Sequence, residues 1–424
     1  MTQRSTFRFA VLVFCCASFV SMQTANVSAE ETILVSSESR RLVHPKPIEL
    51  IGVVRLDGHA VDASGLHGKL EDGSMSNQFG GFSGMDYSGD KDRFFLLSDR
   101  GAGDGAVSYP CRFHEVNLKV DPATKQIQFD LLATRLLTSQ AGSQVVGSLA
   151  AHDNDLHAMG DSHDWTAMDP EGIRCLPGGA LLMSDEYGPH IVIVDPSGQI
   201  ETELAIPGRF RIQLTEDGTY RRGTFPNRGL EGIAVTPSGK RFVSMLQSPL
   251  IQDGKIEDHK CFGLNCRGII LDATAKDHDD GEEMVEHEFD YRLDSFASGT
   301  SEILAVDETR FLVIERDGQV GEAAKCKRIY LIDTAKATDV CQLESMPSEE
   351  IPANVLPATK TLLIDLLDPA FGIGGALAVE KPEGLCWGKP LEDGRRTLWV
   401  CCDNDFDVNV KSEIYCFAIA GTAL

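Results

Sequence analysis

The sequence predicts an all-β chain folded as a β-propeller of four-stranded antiparallel blades. Three observations predict it: a two-part motif that returns five times, short β-rich runs punctuated by hairpin turns, and weak helical periodicity throughout. In each copy a Glu or Ser opens an apolar run, and a second apolar run ends in acidic or amide side chains. The copies are Ser83-Gly84-Met85 with Ser98-Asp99-Arg100, and Glu171-Gly172-Ile173 with Ser184-Asp185-Glu186. Next come Glu231-Gly232-Ile233 with Met245-Leu246-Gln247, and Glu302-Ile303-Leu304 with Ile314-Glu315-Arg316. The last is Glu383-Gly384-Leu385 with Cys402-Asp403-Asn404-Asp405. A fixed internal repeat marks an array or a ring of supersecondary units. A β-sandwich is the rival architecture, but it gives no reason for the two-part layout to recur.

The chain opens with a secretory leader over residues 1–29. Arg4 and Arg8 supply its charged region, Phe9 to Val20 its apolar core, and Val27-Ser28-Ala29 a small-residue cleavage site after Ala29. The apolar run is too short for a stable membrane anchor. Bulky Val13 and Phe14 before Cys15 argue against a lipoprotein. No later stretch predicts a membrane span, so a secreted or periplasmic monomer is expected. Residues 30–47 read as a flexible, Pro-punctuated lead-in, and 48–424 as one domain.

Within that domain the clearest unit follows Asp169. It has strands over 171–176, 180–184, 191–194 and 199–206, with Pro177-Gly178-Gly179 and Pro196-Ser197-Gly198 as turns. Four such strands make one propeller blade. The first unit runs from Phe82 through Phe94-Phe95-Leu96-Leu97 to two further runs separated by Asp121-Pro122. The third starts at Gly229 and the fourth near Ser301. The fifth ends with the chain and lacks a fourth strand. The strand-like run from Ile48 to Leu56 is therefore expected to complete it, closing the ring and removing a sheet edge. Residues 57–80 or 139–168 are where a degenerate sixth unit would lie.

Net charge is −25, and −27 once Arg4 and Arg8 are cleaved away. Such a surface repels nucleic acid and anionic lipid and suits cations. Twelve cysteines fall to ten without Cys15 and Cys16, an even number for an oxidising compartment. The expected disulfides are Cys261–Cys266, Cys326–Cys341 and Cys386–Cys401, leaving Cys402 to meet Cys416 and Cys111 to meet Cys175. No Cys-x-x-Cys pair occurs, which disfavours zinc.

In a blade, strand one and strand two run in opposite directions, so both halves of each motif fall on one face of the ring. Glu171, Glu231, Glu302 and Glu383 are then expected to converge on one channel. Carboxylates so crowded must be protonated, paired or bound to cations. Hard oxygen ligands suit Ca²⁺. The expected metal ligands are Glu171, Asp185, Glu231, Glu302, Glu315, Glu383 and Asp403. Arg100, Arg228, Arg316 and Lys381 lie in the same motifs and are the expected anion binders. For each of these residues internal ion pairing is the alternative. The His/Asp-rich loop at 152–165 and the Asp277-His278-Asp279-Asp280-Gly281 stretch match no metal motif and read as solvated loops. No Gly-x-Ser-x-Gly elbow, P-loop or dinucleotide fingerprint occurs, so no catalytic residue is assigned.

At Gly81-Phe82-Ser83-Gly84-Met85-Asp86-Tyr87 with Leu97-Ser98-Asp99-Arg100-Gly101, and at Asp169-Pro170-Glu171-Gly172-Ile173, the chain resembles the phytase-like family, "esterase-like activity of phytase". Asn227-Arg228-Gly229-Leu230-Glu231 and Leu312-Val313-Ile314-Glu315-Arg316-Asp317 extend the resemblance over about residues 50–420. It implies a secreted six-bladed propeller, acidic calcium sites, and hydrolysis of a small anionic ester of phosphate or carboxylic acid. Two other functions compete: a non-catalytic ligand- or partner-binding propeller, and a lactonase-like propeller enzyme holding one metal.

Overall fold

The computed structural model describes residues 46–152, 165–225, 227–257, 260–275 and 281–424. The expected leader, the lead-in up to residue 45, and most of the 152–165 and 277–281 loops lie outside the described residues. Strand β1 (Ile48–Leu56) precedes the first blade, which is β2 (Phe82–Tyr87), β3 (Arg93–Ser98), β4 (Arg112–Asp121) and β5 (Gln126–Leu136). The second blade is β6 (Pro170–Cys175), β7 (Leu181–Asp185), β8 (Ile191–Val194) and β9 (Ile200–Leu204). A small hairpin, β10 (Gln213–Leu214) with β11 (Tyr220–Arg222), leads to the third blade. That blade is β12 (Leu230–Val235), β13 (Arg241–Leu246), β16 (Asn265–Asp272) and β17 (Val285–Arg292), with the hairpin β14 (Lys255–Glu257) and β15 (Lys260–Phe262) inserted. The fourth is β18 (Ser298–Ala305), β19 (Arg310–Asp317), β20 (Lys327–Asp333) and β21 (Thr359–Asp365). Last come β22 (Lys381–Trp387), β23 (Arg396–Asp403) and β24 (Ser412–Ile419).

The fifth blade is completed as expected. β1 pairs antiparallel with β24, from Ile48 opposite Ile419 to Leu56 opposite Ser412. The inner strands touch in a closed cycle: β2 on β6, β6 on β12, β12 on β18, β18 on β22, and β22 on β2. Among the described residues the ring therefore has five blades, not the six implied by the family resemblance. Residues 57–80 form bridges rather than a blade. Apolar side chains fill the seams between blades: Leu304, Leu312, Leu385 and Val400 between the fourth and fifth, and Phe82, Leu96, Cys401 and Ile414 between the first and fifth.

The motif glycines explain how the ring closes so tightly. A Cβ on Gly84 would stand 2.5 Å from the Glu171 carbonyl oxygen, and one on Gly172 2.8 Å from the Ile233 nitrogen. One on Gly232 would meet the Ile303 nitrogen at 2.5 Å, and one on Gly384 the Met85 nitrogen at 2.9 Å. Each glycine thus lets one inner strand touch the next. Just before it sits a β-bulge, where one extra residue turns out of the ladder. The register places Ser83, Glu231, Ser301 and Glu383 at that bulge.

The fourth blade has no such glycine. Glu302 fills its place, opposite Ile314. Its carboxylate meets Arg174 Nη2 of the second blade at 2.9 Å. Arg174 also donates to the carbonyls of Met85, Ile173 and Ile303. Glu302 accepts from the Ile303 and Leu385 N–H groups. One buried ion pair thereby ties the first, second, fourth and fifth blades together at the axis.

The disulfide expectation is overturned: all ten cysteines of the described residues are free thiols. The register opposes Cys386 to Trp399 and Cys401 to Gly384, so the two do not face each other. Cys402 lies opposite Glu413, and Cys416 opposite Trp399. Cys111, Cys261, Cys266 and Cys326 each donate to a backbone carbonyl, and Cys341 to Asp339 Oδ2. The Cys175 N–H donates to Asp86.

Two outcomes follow from this architecture. Deleting residues up to Leu56 exposes the β24 edge, so size-exclusion chromatography should show aggregation in place of a defined peak. Arg174→Met should cost about 3–5 kcal/mol in denaturant unfolding by stranding a buried carboxylate. The double change with Glu302→Gln should cost less than the sum of the single changes, and additive losses would refute the axial coupling.

Candidate functional site

The same local bond sets both halves of the motif side by side. The N–H of the residue leaving strand two donates to the chain just ahead of strand one. Asp99 bonds the Gly81 carbonyl at 2.9 Å, Glu186 that of Asp169 at 3.0 Å, and Gln247 that of Gly229 at 3.1 Å. In the second, third and fourth blades both the bulge residue and the strand-two exit residue face the channel mouth, while the first blade contributes its exit residue Asp99 and the fifth its bulge residue Glu383. Together they line a cavity of about 700 Å³, with Asp99, Glu171, Glu186, Glu231, Gln247, Ser301, Arg316 and Glu383 all on its wall.

Three of the seven expected metal ligands, Glu171, Glu231 and Glu383, line the cavity, and four do not. Glu302 is locked to Arg174 among the inner strands. The sequence pattern matches Glu302 to Glu231, but the register matches Ser301 to it. A slip of one residue in a strand turns a side chain to the other face. For the same reason Glu315 is turned away from the mouth, where Tyr291 Oη donates to it at 2.8 Å and Lys360 Nζ at 2.5 Å. Arg316, one residue on, takes the mouth position. Asp185 accepts the N–H groups of Asp169 and Gly188, each at 2.7 Å, and serves to position Asp169. Asp403 is bonded to Lys381 Nζ at 3.0 Å.

The four expected anion binders divide. Arg100 Nη1 pairs with Asp169 at 2.8 Å and its Nη2 with Asp104 at 2.9 Å. Arg316 holds Glu383 at 2.5 Å and donates to Ser301 Oγ. Lys381 is engaged by Asp403 and Asp405. Arg228 lines the cavity and makes no hydrogen bond or ion pair among the described residues.

Asp169, Glu171 and Glu186 each offer an oxygen, and these lie within 4.8 Å of one another. Around them, several buried oxygens have no hydrogen-bond partner: Glu186 Oε1, Glu231 Oε2, Gln247 Oε1 and Asn227 Oδ1. Glu186 and Glu231 are each 1 % exposed, and Gln247 is 8 % exposed. The Gln247 amide nitrogen donates to Glu231 Oε1 at 2.8 Å, which leaves its oxygen free. Buried acceptors of this kind are rarely left unpaired, because desolvation is costly.

Burial and mutual repulsion govern the charge state. Burial pushes Glu186 well up, and Glu231 beside it adds to the effect. Glu171 is raised well above its ordinary range by burial and then by Asp169 and Glu231. Glu231 is pushed up to about 7 by burial, and Glu383 to about 7 by burial against the pull of Arg316. Asp403 goes the other way: burial would raise it, but the charge and hydrogen bond of Lys381, with the Asp405 N–H and Arg100, together lower it.

Asp169, Asn227 and Gln247 are not in the expected ligand set, nor is Glu186. Their signal was present in the motif: Glu186 follows Asp185, and Gln247 stands where other copies carry a carboxylate.

The chain matches the model of the phytase-like family, esterase-like activity of phytase, over residues 77–406. An uncharacterized secreted protein of Arthroderma benhamiae is 24 % identical over 286 residues, which cover 54 % of this chain and 56 % of that protein. The chain thus spans about half the length of that curated relative. Among solved structures, the β-propeller domain of Cps50 (Swd1) from Myceliophteria thermophila is 10 % identical with a TM-score of 0.34, covering 81 % of this chain and 98 % of that one. Virginiamycin B lyase from Staphylococcus aureus is 9 % identical with a TM-score of 0.31, covering 88 % and 100 %. No helix of the described residues is long and apolar enough to cross a membrane. With its match spanning most of the propeller, from ahead of β2 to just past β23, the chain belongs to the phytase-like family.

Proposed function

We propose that this chain is an exported hydrolase of small anionic esters that works at the channel mouth with a bound divalent cation, Ca²⁺ by the chemistry of its donors. The observation that carries it is the set of unpartnered buried oxygens on Glu186, Glu231, Gln247 and Asn227 beside the Asp169, Glu171 and Glu186 carboxylates. Carboxylate and amide oxygens in that number suit a hard cation, which takes about six to eight of them. Glu171, Glu186 and Glu231 would hold it with the amide oxygens of Asn227 and Gln247. Bound there, Ca²⁺ would polarise a phosphoryl or acyl oxygen and offset developing negative charge.

The chain's own residues do the rest. Arg228, which makes no direct ion pair although its charge favours ionised Glu186, binds the anionic group of the substrate. Arg100 fixes Asp169, Arg316 fixes Glu383, and Lys381 fixes Asp403, so the acidic wall keeps its shape. In hydrolysis the oxygen of water joins the phosphorus or acyl carbon, the bond to the alcohol oxygen breaks, and the proton from water ends on the departing alcohol. The ion pairs of Arg100, Arg316 and Lys381 also favour a second reading, a non-catalytic binding propeller in which these pairs only staple the blades. Export rests on residues 1–29, with cleavage after Ala29.

Ca²⁺ should raise the melting temperature of the chain from residue 30 onward and a chelator should lower it, with about 2.7 kcal/mol of stabilisation at a hundredfold excess over Kd. Glu186→Gln with Glu231→Gln should remove the response while leaving a folded protein. Protons compete for the same oxygens, so calorimetric Ca²⁺ affinity should rise as pH increases through about 7, with proton release on binding. Arg228→Gln should lower kcat/KM for a phosphate ester about 100-fold. A calcium response without turnover of phosphate esters, carboxylic esters or lactones would leave the binding propeller standing. Turnover of lactones alone would favour the lactonase-like enzyme. The absence of any calcium response would reject the cation site.

A further inference from the structure

We infer that the substrate of this mouth carries one phosphate ester group joined to an apolar, aryl-sized body, and is not a polyphosphate. This rests on the reading of the mouth as the hydrolytic site and adds the class of molecule it accepts.

Charge at the cavity wall is the first ground. Seven carboxyl groups line it against four cationic side chains, and three of those four are bound in ion pairs. Arg228 is the one of these four without a hydrogen bond or ion pair among the described residues, its charge acting on Glu186 from a distance. A divalent ion held by Glu171, Glu186 and Glu231 brings no excess positive charge beyond its own ligands. The mouth can therefore compensate one phosphate group. A second phosphate would face Asp99, Asp104, Glu380 or Glu383, and like charges in a partly desolvated cleft repel strongly. Volume is not what rejects a polyphosphate, since about 700 Å³ would admit one.

The second ground is the apolar part of the cavity wall. The β14–β15 hairpin brings Phe262 to the cavity, and the turn before β18 brings Phe296 and Ala297. The Leu293 N–H donates to the Leu264 carbonyl at 2.8 Å, which draws these two segments together. Phe296 is 45 % exposed, a phenyl ring left facing water at the rim of a charged pocket. Leu149 adds a further apolar contact. Aromatic rings beside a single anion anchor recognise a molecule that is apolar at one end and charged at the other.

The test compares three phosphate esters in saturating Ca²⁺ with the chain from residue 30 onward: 4-nitrophenyl phosphate, glycerol phosphate and inositol hexakisphosphate. The expected order of kcat/KM is aryl, then glycerol, then hexakisphosphate. Phe262→Ala and Phe296→Ala should each raise KM for the aryl ester about tenfold and leave glycerol phosphate unchanged. Hydrolysis of hexakisphosphate at the aryl rate or faster overturns the inference, and so does an equal effect of the Phe changes on both monoesters. Should no ester be turned over, the hydrolytic reading fails, and calorimetric binding of phenyl phosphate against hexakisphosphate still decides the ligand class. Tighter phenyl phosphate upholds it, while tighter hexakisphosphate, or no binding of either, overturns it.

Discussion

The ion pair between Arg174 and Glu302 is the constraint on which the centre of this ring depends. Five inner strands meet at the axis, and at four contacts a glycine removes the side chain that would keep them apart. At the remaining position a glutamate stands where the glycine would be. A lone buried carboxylate there would be costly, and a lone buried guanidinium as costly again. Paired, and bonded to backbone groups of the first, second, fourth and fifth blades, each satisfies the other. A network of this kind is strong when complete and expensive when broken. It fixes the spacing of the inner strands, and with it the dimensions of the mouth.

That spacing has electrostatic consequences. Bulges in the inner strands turn Glu171, Glu231 and Glu383 toward one cavity, and the strand-two exits add Asp99 and Glu186. Burial, and after it the crowding of like charges, raises their proton affinities. Three of the four basic side chains there are spent on neighbouring carboxylates, and the remaining oxygens of Glu186, Glu231, Gln247 and Asn227 stay unsatisfied. The basic side chains of this wall divide residue by residue: Arg100, Arg316 and Lys381 are held in ion pairs, and Arg228 is the one the proposed function assigns to a ligand.

The propeller was legible in the sequence because strand period and turn chemistry are local. The closing role of Ile48–Leu56 was legible too, since a blade short of one strand must find it elsewhere. Glu302 and Glu315 were misplaced because a motif match tolerates an offset of one residue, whereas a pleated strand does not. The cysteines misled in a related way. Cys386 and Cys401 sit symmetrically about a turn in sequence, yet the bulge at Glu383 shifts the register and opposes each to another residue. Arg174 left only a faint signal, one basic residue in an inner strand.

By itself, then, the sequence determined the repeating β unit, the closure of the ring by its first strand and the family, because each depends on patterns along the chain. Only the tertiary structure decided that the blades number five among the described residues, which carboxylates share the mouth, and which of its cations are held in ion pairs. Those outcomes depend on bulges and on contacts between strands far apart in sequence, where a shift of one residue exchanges the channel wall for the blade interior.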